Sequence, residues 1–164
     1  MSSITAPSSA RAPSPLGTIL IAGSIAAALD LLFAFVFYGI RNGIAPERIL
    51  QTIGSGLFGK DSFAMGWESA AVGLVCHFAI LIVAAALYFY AAGRMRWMNR
   101  QALICGLAFG VAVYVVMNFV VVPLSAAPKF QRSLVPAIGE MCSHLFFVGL
   151  PIAFLVRRYW QARG

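Results

Sequence analysis

The sequence predicts an all-α integral membrane protein, a four-helix bundle with a short amphipathic interfacial helix between its first two spans. Two observations lead to this fold class. The 164 residues are 61% hydrophobic and only 10% charged, whereas about a quarter of the residues of a soluble domain are charged. Four apolar segments also exceed the roughly 20 residues that an α-helix needs to cross a membrane. A helix bonds its own backbone groups and is therefore stable in lipid.

The four predicted spans cover residues of about 15–40, 66–92, 101–124 and 134–156, in one transmembrane domain of residues 15–158. Residues 1–14 are rich in Ser, Ala and Pro and predict a disordered tail, and residues 159–164 form a second tail. A cleaved signal peptide is the alternative for the first span, because Ala26 to Ala28 resemble a small-residue cleavage site. The apolar stretch continues to Ile40, however, and this length favours an uncleaved helix.

The segment between the first two spans carries the amphipathic pattern. Its apolar residues recur at helical spacing: Ile49, Leu50, Ile53, Leu57 and Phe58. Pro46 is typical of a helix start, and Gly56 and Gly59 are typical of a helix end. We therefore expect a short helix that lies in the interface or covers the bundle. The glycine spacing in "GSGLFG" does not indicate a dinucleotide site, because no strand precedes it.

The charged residues predict the orientation. With four spans, the two tails and the middle loop lie on one side and carry seven arginines with no Asp or Glu, whereas the other side carries five basic and three acidic residues. Positive loops stay in the cytoplasm. We therefore expect a plasma-membrane (inner-membrane) protein with both termini cytoplasmic. The net charge of +7 then indicates contact with anionic lipid rather than nucleic acid, since no nucleic-acid-binding motif accompanies it.

Five polar side chains interrupt the predicted spans: Asp30, His77, Asn118, Glu140 and His144. Ionisable residues inside spans are rare and usually face the bundle interior or a wet cavity. With a rise of 1.5 Å per residue, the two histidines lie at the same depth, roughly 13 Å from the outer boundary. All five residues fall in the middle or outer part of the membrane, so we expect a buried polar layer beneath the interfacial helix.

Small residues indicate which faces of the spans pack together. Asp30 and His77 each continue a stripe of small residues: Gly23, Ala27 and Ala34 in the first span, and Gly66, Ala70 and Gly73 in the second. Gly106 and Gly110 form a GxxxG motif in the third span. In the fourth span, Glu140 and His144 are four residues apart and are expected on one face. Pro151 predicts a kink in that span.

Three hypotheses account for the polar layer. In the first, Asp–His and Glu–His pairs only fix the packing of a structural or accessory subunit. In the second, the layer holds a cofactor: a b-type haem between His77 and His144, or a divalent metal bound by His77, Glu140 and His144 with Asp30 as a fourth ligand. In the third, an oligomer forms a proton- or ion-coupled conduit.

The sequence favours a non-enzymatic protein. It contains no Ser-His-Asp order, no HExxH and no CxxC, and its three cysteines (Cys76, Cys105 and Cys142) are interpreted as small apolar fillers. Apart from the lipid bilayer, we expect its partners to be further copies of the chain or other membrane subunits.

Four stretches carry a resemblance to uncharacterised small bacterial four-span inner-membrane proteins: "ALDLLFAFVFYG", "PERILQTIGSGLFG", "GLVCHFAI" and "VVVPLS". The resemblance covers most of the chain after residue 14. It implies a bacterial inner-membrane protein with an amphipathic segment after its first span, and it implies no activity and no catalytic residue.

Overall fold

The structure is a computed structural model that describes residues 14–129 and 133–163, so the predicted tail of residues 1–14 lies almost wholly outside the described residues. The described chain is helical and contains no strand. Four helices are long and apolar enough to cross a membrane: α1 (Pro15–Asn42), α3 (Trp67–Arg94), α5 (Ala102–Leu124) and α6 (Leu134–Gln161). Two shorter helices are α2 (Pro46–Phe58) and α4 (Arg96–Arg100). The prediction of an all-α, four-span bundle is confirmed.

Local sequence signals set the ends of α1 and α2. Ser14 precedes α1, and its hydroxyl accepts a hydrogen bond from the Gly17 amide at 2.9 Å, with Pro15 at the first helical position. Gly43 ends α1 with a φ of 65°, a left-handed conformation that glycine adopts without steric cost. Pro46 begins α2, and Gly59 ends it with a φ of 60°.

Helix α2 lies against the first half of α3 and covers one end of the bundle. Its buried face consists of Ile49, Leu50, Gln51, Gly54 and Ser55, whereas Leu57 is 62% exposed. The face of α2 that packs against the bundle therefore includes two polar side chains and one glycine. The glycine has no side chain, so it allows the backbones of α2 and α3 to approach closely. A Cβ added to Gly73 of α3 would lie 2.9 Å from the Gly54 amide nitrogen and closer still to the Leu50 carbonyl oxygen.

Glycines also determine how the spans pack against each other. A Cβ on Gly23 of α1 would lie 2.6 Å from the Ile82 Cα of α3. The GxxxG motif of α5 faces α6, where Gly110 lies against the backbone of His144 and Leu145. Large apolar side chains remain exposed around the outside of the bundle, for example Leu87 at 66% and Ile104 at 63%. This surface is typical of helices that face lipid.

Both α5 and α6 contain a widened, π-helical turn just before a proline. Residues Met117–Val121 precede Pro123, and residues His144–Gly149 precede Pro151. Proline lacks an amide hydrogen, and its ring collides with the carbonyl four residues earlier, so a regular turn cannot continue through it. The wide turn accommodates that collision. The sequence predicts a kink at Pro151, and what the structure has there is the widened turn His144–Gly149, just before the proline.

Candidate functional site

Asp30 is at the centre of the buried polar layer. Its Oδ1 accepts a hydrogen bond of 2.5 Å from the Ser143 hydroxyl of α6, and its Oδ2 lies 3.8 Å from His77 Nε2 of α3. His77 is 8% exposed and Ser143 is 3% exposed. The carboxylate of α1 thus contacts two other spans within the membrane. We call Asp30, His77 and Ser143 the three-span cluster.

The partners of His77 determine which of its nitrogens carries a proton. His77 Nε2 lies 3.0 Å from the Ala27 carbonyl oxygen. A carbonyl only accepts hydrogen bonds, so Nε2 carries the hydrogen and donates it. The same nitrogen points between Ala27 and Asp30, one turn apart on α1. The imidazole therefore joins α3 to the backbone and to the carboxylate of α1.

Glu140 forms a second contact between α1 and α6. Its Oε1 accepts a hydrogen bond of 2.7 Å from the Tyr38 hydroxyl. Tyr38 was not among the residues predicted from the sequence, because a tyrosine near the end of a span is normally interpreted as an interfacial anchor. Aromatic packing accompanies this contact, since Phe33 stacks on Phe37 at 5.4 Å between ring centroids, and Phe37 packs on Gly139.

His144 and Asn118 bond to their own helices. His144 Nδ1 donates to the Glu140 carbonyl at 2.8 Å, and Asn118 Nδ2 donates to the Tyr114 carbonyl at 3.1 Å. Both residues lie at the beginning of a widened turn. The His144 ring meets Tyr114 of α5 edge-on, with 5.7 Å between the ring centroids. His144 therefore faces α5, whereas its neighbour Ser143 faces α1.

The five predicted residues thus have separate partners. Asp30 and His77 lie together, Glu140 bonds to Tyr38, and the ring nitrogen of His144 and the amide of Asn118 bond to backbone carbonyls of their own helices. In the part of the chain that the structure describes, no three His, Cys, Asp or Glu side chains are grouped so that they could hold a metal ion. Ser143, which is not among the five predicted residues, takes the place in α6 beside Asp30.

A second set of buried polar residues lies between α2 and the start of α3. Ser69 Oγ donates to the Ser62 carbonyl at 2.6 Å, and Ser62 Oγ donates to the Gln51 carbonyl at 2.7 Å. Gln51 Nε2 in turn donates to the Gly66 carbonyl at 3.1 Å. These bonds satisfy backbone groups of the connection between the helices.

The three cysteines are free thiols in separate environments: Cys105 is buried, Cys76 is partly buried and Cys142 is exposed. No protein-family profile, curated protein or solved structure matches the chain.

Proposed function

We propose that this small integral membrane protein is a non-enzymatic subunit whose buried polar side chains fix the packing of its spans. The observation that carries the proposal is the Asp30 carboxylate, which contacts α6 through Ser143 and α3 through His77. One side chain thereby joins three of the four spans. A hydrogen bond between helices in a membrane contributes about 0.6 kcal/mol on average and up to about 1.7 kcal/mol.

The directions of the other polar groups support the same function. A ligand site needs several polar groups that converge on one space. Glu140 instead meets Tyr38, and His144 and Asn118 donate to carbonyls of their own helices. The bond between Glu140 and Tyr38 joins α6 to α1, and the other two bonds are made within single helices, so these groups contribute to packing and do not converge on a ligand.

A metal or haem held by His77, Glu140 and His144 stays a prediction. His144 has the arrangement of a ligating histidine, because Nδ1 donates to a carbonyl and leaves Nε2 as the nitrogen for a metal. His77 differs, since its Nε2 already donates to Ala27. The two histidines face different spans, so this geometry favours the packing function over a shared cofactor.

A proton- or ion-coupled conduit is favoured less by the distribution of charge along the spans. After His77, the next residue of α3 that is Asp, Glu, His, Lys or Arg is Arg94. Seventeen residues of helix correspond to about 25 Å. The apolar stretches of α1, α5 and α6 toward the same end also lack such residues. The polar groups therefore do not continue across the membrane.

A double-mutant cycle on Asp30 and Ser143 tests the proposed function. The single variants Asp30→Ala and Ser143→Ala and the double variant are purified in detergent, and their free energies of unfolding are compared. We expect each single variant to be less stable, and the double variant to lose about 0.6 to 1.7 kcal/mol less than the sum. Additive losses would contradict the proposal.

Two further variants keep the cycle informative. If Asp30→Ala does not fold, Asp30→Asn serves as the folded background. Its amide oxygen still accepts the Ser143 hydrogen bond, so Ser143→Ala should lower stability in Asp30→Asn by about as much as in the starting protein. Ser125→Ala is the matched control, because among the described residues the Ser125 hydroxyl bonds only within its own turn, to Val122 and Ala127. Its effect should add to that of Asp30→Ala within about 0.5 kcal/mol.

A further inference from the structure

An open groove lies at the end of the bundle opposite α2, where α1 begins and α3 and α6 end. Its volume is about 510 Å³, within the range of small-molecule sites. The walls are mostly aromatic, with one arginine and one glycine, and they consist of Phe89, Tyr90, Gly93, Arg94, Tyr159 and Trp160 beside the first residue of α1. None of these residues belongs to the polar layer described above.

Packing between α3 and α6 holds the aromatic walls in place. The Trp160 ring lies over Gly93, where an added Cβ would be 2.6 Å from the ring. Phe89 is 3% exposed and packs against both Tyr159 and Trp160, with centroid distances of 4.9 and 5.3 Å. Glycine at position 93 thus provides the space that the indole occupies. The shape of the groove is formed before any ligand binds.

The charge around the groove has one sign. The arginines of this end of the bundle are Arg94, Arg96, Arg100, Arg157, Arg158 and Arg163, and the chain places no Asp or Glu there. Arg94 lines the groove, and the Arg163 guanidinium stacks on the Tyr159 ring at 4.7 Å from its centroid. An anion that enters the groove therefore meets the Arg94 guanidinium, and no Asp or Glu side chain lines the groove.

We propose that this groove binds an anionic phospholipid. The phosphate contacts Arg94, and the first carbons of an acyl chain lie along the aromatic walls. The level of the groove supports a lipid over a soluble anion, because it lies at the ends of two membrane-spanning helices, where Trp and Tyr meet the headgroups. Tyr90, 58% exposed, extends the apolar wall toward the surrounding lipid.

Trp160 provides the reporter for a test. The chain has three tryptophans, so Trp67→Phe with Trp97→Phe leaves Trp160 as the only tryptophan, whose emission is excited selectively over that of tyrosine. This variant is reconstituted into phosphatidylcholine vesicles that contain a minor fraction of phosphatidylglycerol, with bromine on the acyl chains of either one lipid or the other. We expect brominated phosphatidylglycerol to quench Trp160 at a mole fraction about fivefold lower than brominated phosphatidylcholine requires.

Arg94→Gln should remove this preference, so that the two lipids quench alike. Arg100→Gln, which removes one charge from the same end outside the groove, should retain it, and inorganic phosphate in the buffer should not reduce it. Equal quenching of the starting variant by the two lipids would overturn the proposal, because the groove is then covered by unselective lipid, a segment of the chain or a second copy. An equal loss in both arginine variants would also overturn it, because the preference then comes from overall charge.

Discussion

The two ends of the bundle differ in how their buried polar groups are satisfied. At the end covered by α2, the side chains of Gln51, Ser62 and Ser69 all donate to backbone carbonyls. At the arginine-rich end, three buried polar atoms have no hydrogen-bond partner among the described residues: Tyr88 Oη, Asn99 Oδ1 and Trp160 Nε1. The amide nitrogen of Asn99 does bond, to the Ala92 carbonyl at 2.8 Å.

The α2 end therefore bonds its buried polar side chains to backbone carbonyls, whereas the arginine-rich end leaves three buried polar atoms without a partner among the described residues. Buried polar groups in native proteins are nearly always bonded, to protein or to ordered water. The α2 end combines close glycine contacts with a short series of serine hydrogen bonds. The arginine-rich end instead combines aromatic rings with one sign of charge, and this combination is typical of a surface at the level of lipid headgroups.

Substitution of Gly73 should have the largest effect on the α2 end. In Gly73→Ala, the new Cβ would overlap the Leu50 carbonyl and lie 2.9 Å from the Gly54 amide, so α2 has to move away from α3. Overpacking of this kind typically costs about 1 to 3 kcal/mol. We expect a loss of thermal stability in detergent together with faster hydrogen exchange in residues 46–58.

Gly39→Ala is the control, since its Cβ would find its nearest neighbour at 3.9 Å. It should not lower thermal stability, because alanine is favoured over glycine inside a helix, and it should leave hydrogen exchange in residues 46–58 unchanged. If Gly73→Ala behaves like Gly39→Ala, the close contact between α2 and α3 does not hold this end together, and the contrast between the two ends is lost.

Ser69→Ala should have an intermediate effect. The variant removes the hydrogen bond of 2.6 Å to the buried Ser62 carbonyl. A buried acceptor without a partner costs about 1 kcal/mol or more. We expect that loss in the free energy of unfolding, measured by denaturant titration.

Thr52→Ala serves for comparison, because within the described part of the chain the exposed Thr52 hydroxyl bonds only to the Arg48 carbonyl of its own helix. Its stability should stay close to that of the starting protein. Equal stability of Ser69→Ala and Thr52→Ala would mean that the serine hydrogen bonds do not stabilise the α2 end.

Composition and periodicity were sufficient to predict the four spans and the interfacial helix, because length in lipid and helical spacing are local properties of the sequence. They also identified Asp30 and His77, which follow stripes of small residues and do lie together. The partners in α6 were harder to predict. Glu140 and His144 are four residues apart and were expected on one face, yet the Glu140 carboxylate meets Tyr38 of α1 and the His144 ring meets Tyr114 of α5.

The difference comes from the directions of the two side chains and not from the helix. The backbone is regular between Glu140 and His144, because the His144 amide bonds to the Glu140 carbonyl, and the widened turn begins only at His144. The Glu140 side chain extends to Tyr38 of α1, whereas the His144 ring turns back to the Glu140 carbonyl and meets Tyr114 of α5. The rotation of α6 then depends on Gly106, Gly110 and Gly149, whose contacts lie between α5 and α6. Such contacts join residues far apart in the chain, and the sequence pattern of one helix does not specify them.

Removal of a hydroxyl should have the smallest effect at the arginine-rich end. Tyr88 is 2% exposed, its hydroxyl has no partner among the described residues, and its ring packs edge-on against Phe109 at 5.0 Å. Tyr88→Phe keeps that ring and removes a buried polar group. The stability of the variant in detergent should therefore be unchanged or higher by about 1 kcal/mol.

Tyr38→Phe is the matched comparison, since it removes a hydroxyl that donates to Glu140 at 2.7 Å. We expect this variant to be less stable by about 0.6 kcal/mol, the average for a hydrogen bond between helices in a membrane. The two variants delete the same atom from the same residue type, so their difference isolates the effect of a partner. If Tyr88→Phe loses as much stability as Tyr38→Phe, the Tyr88 hydroxyl has a hydrogen-bond partner in the membrane. The difference in hydrogen bonding between the buried polar groups of the two ends would then be lost.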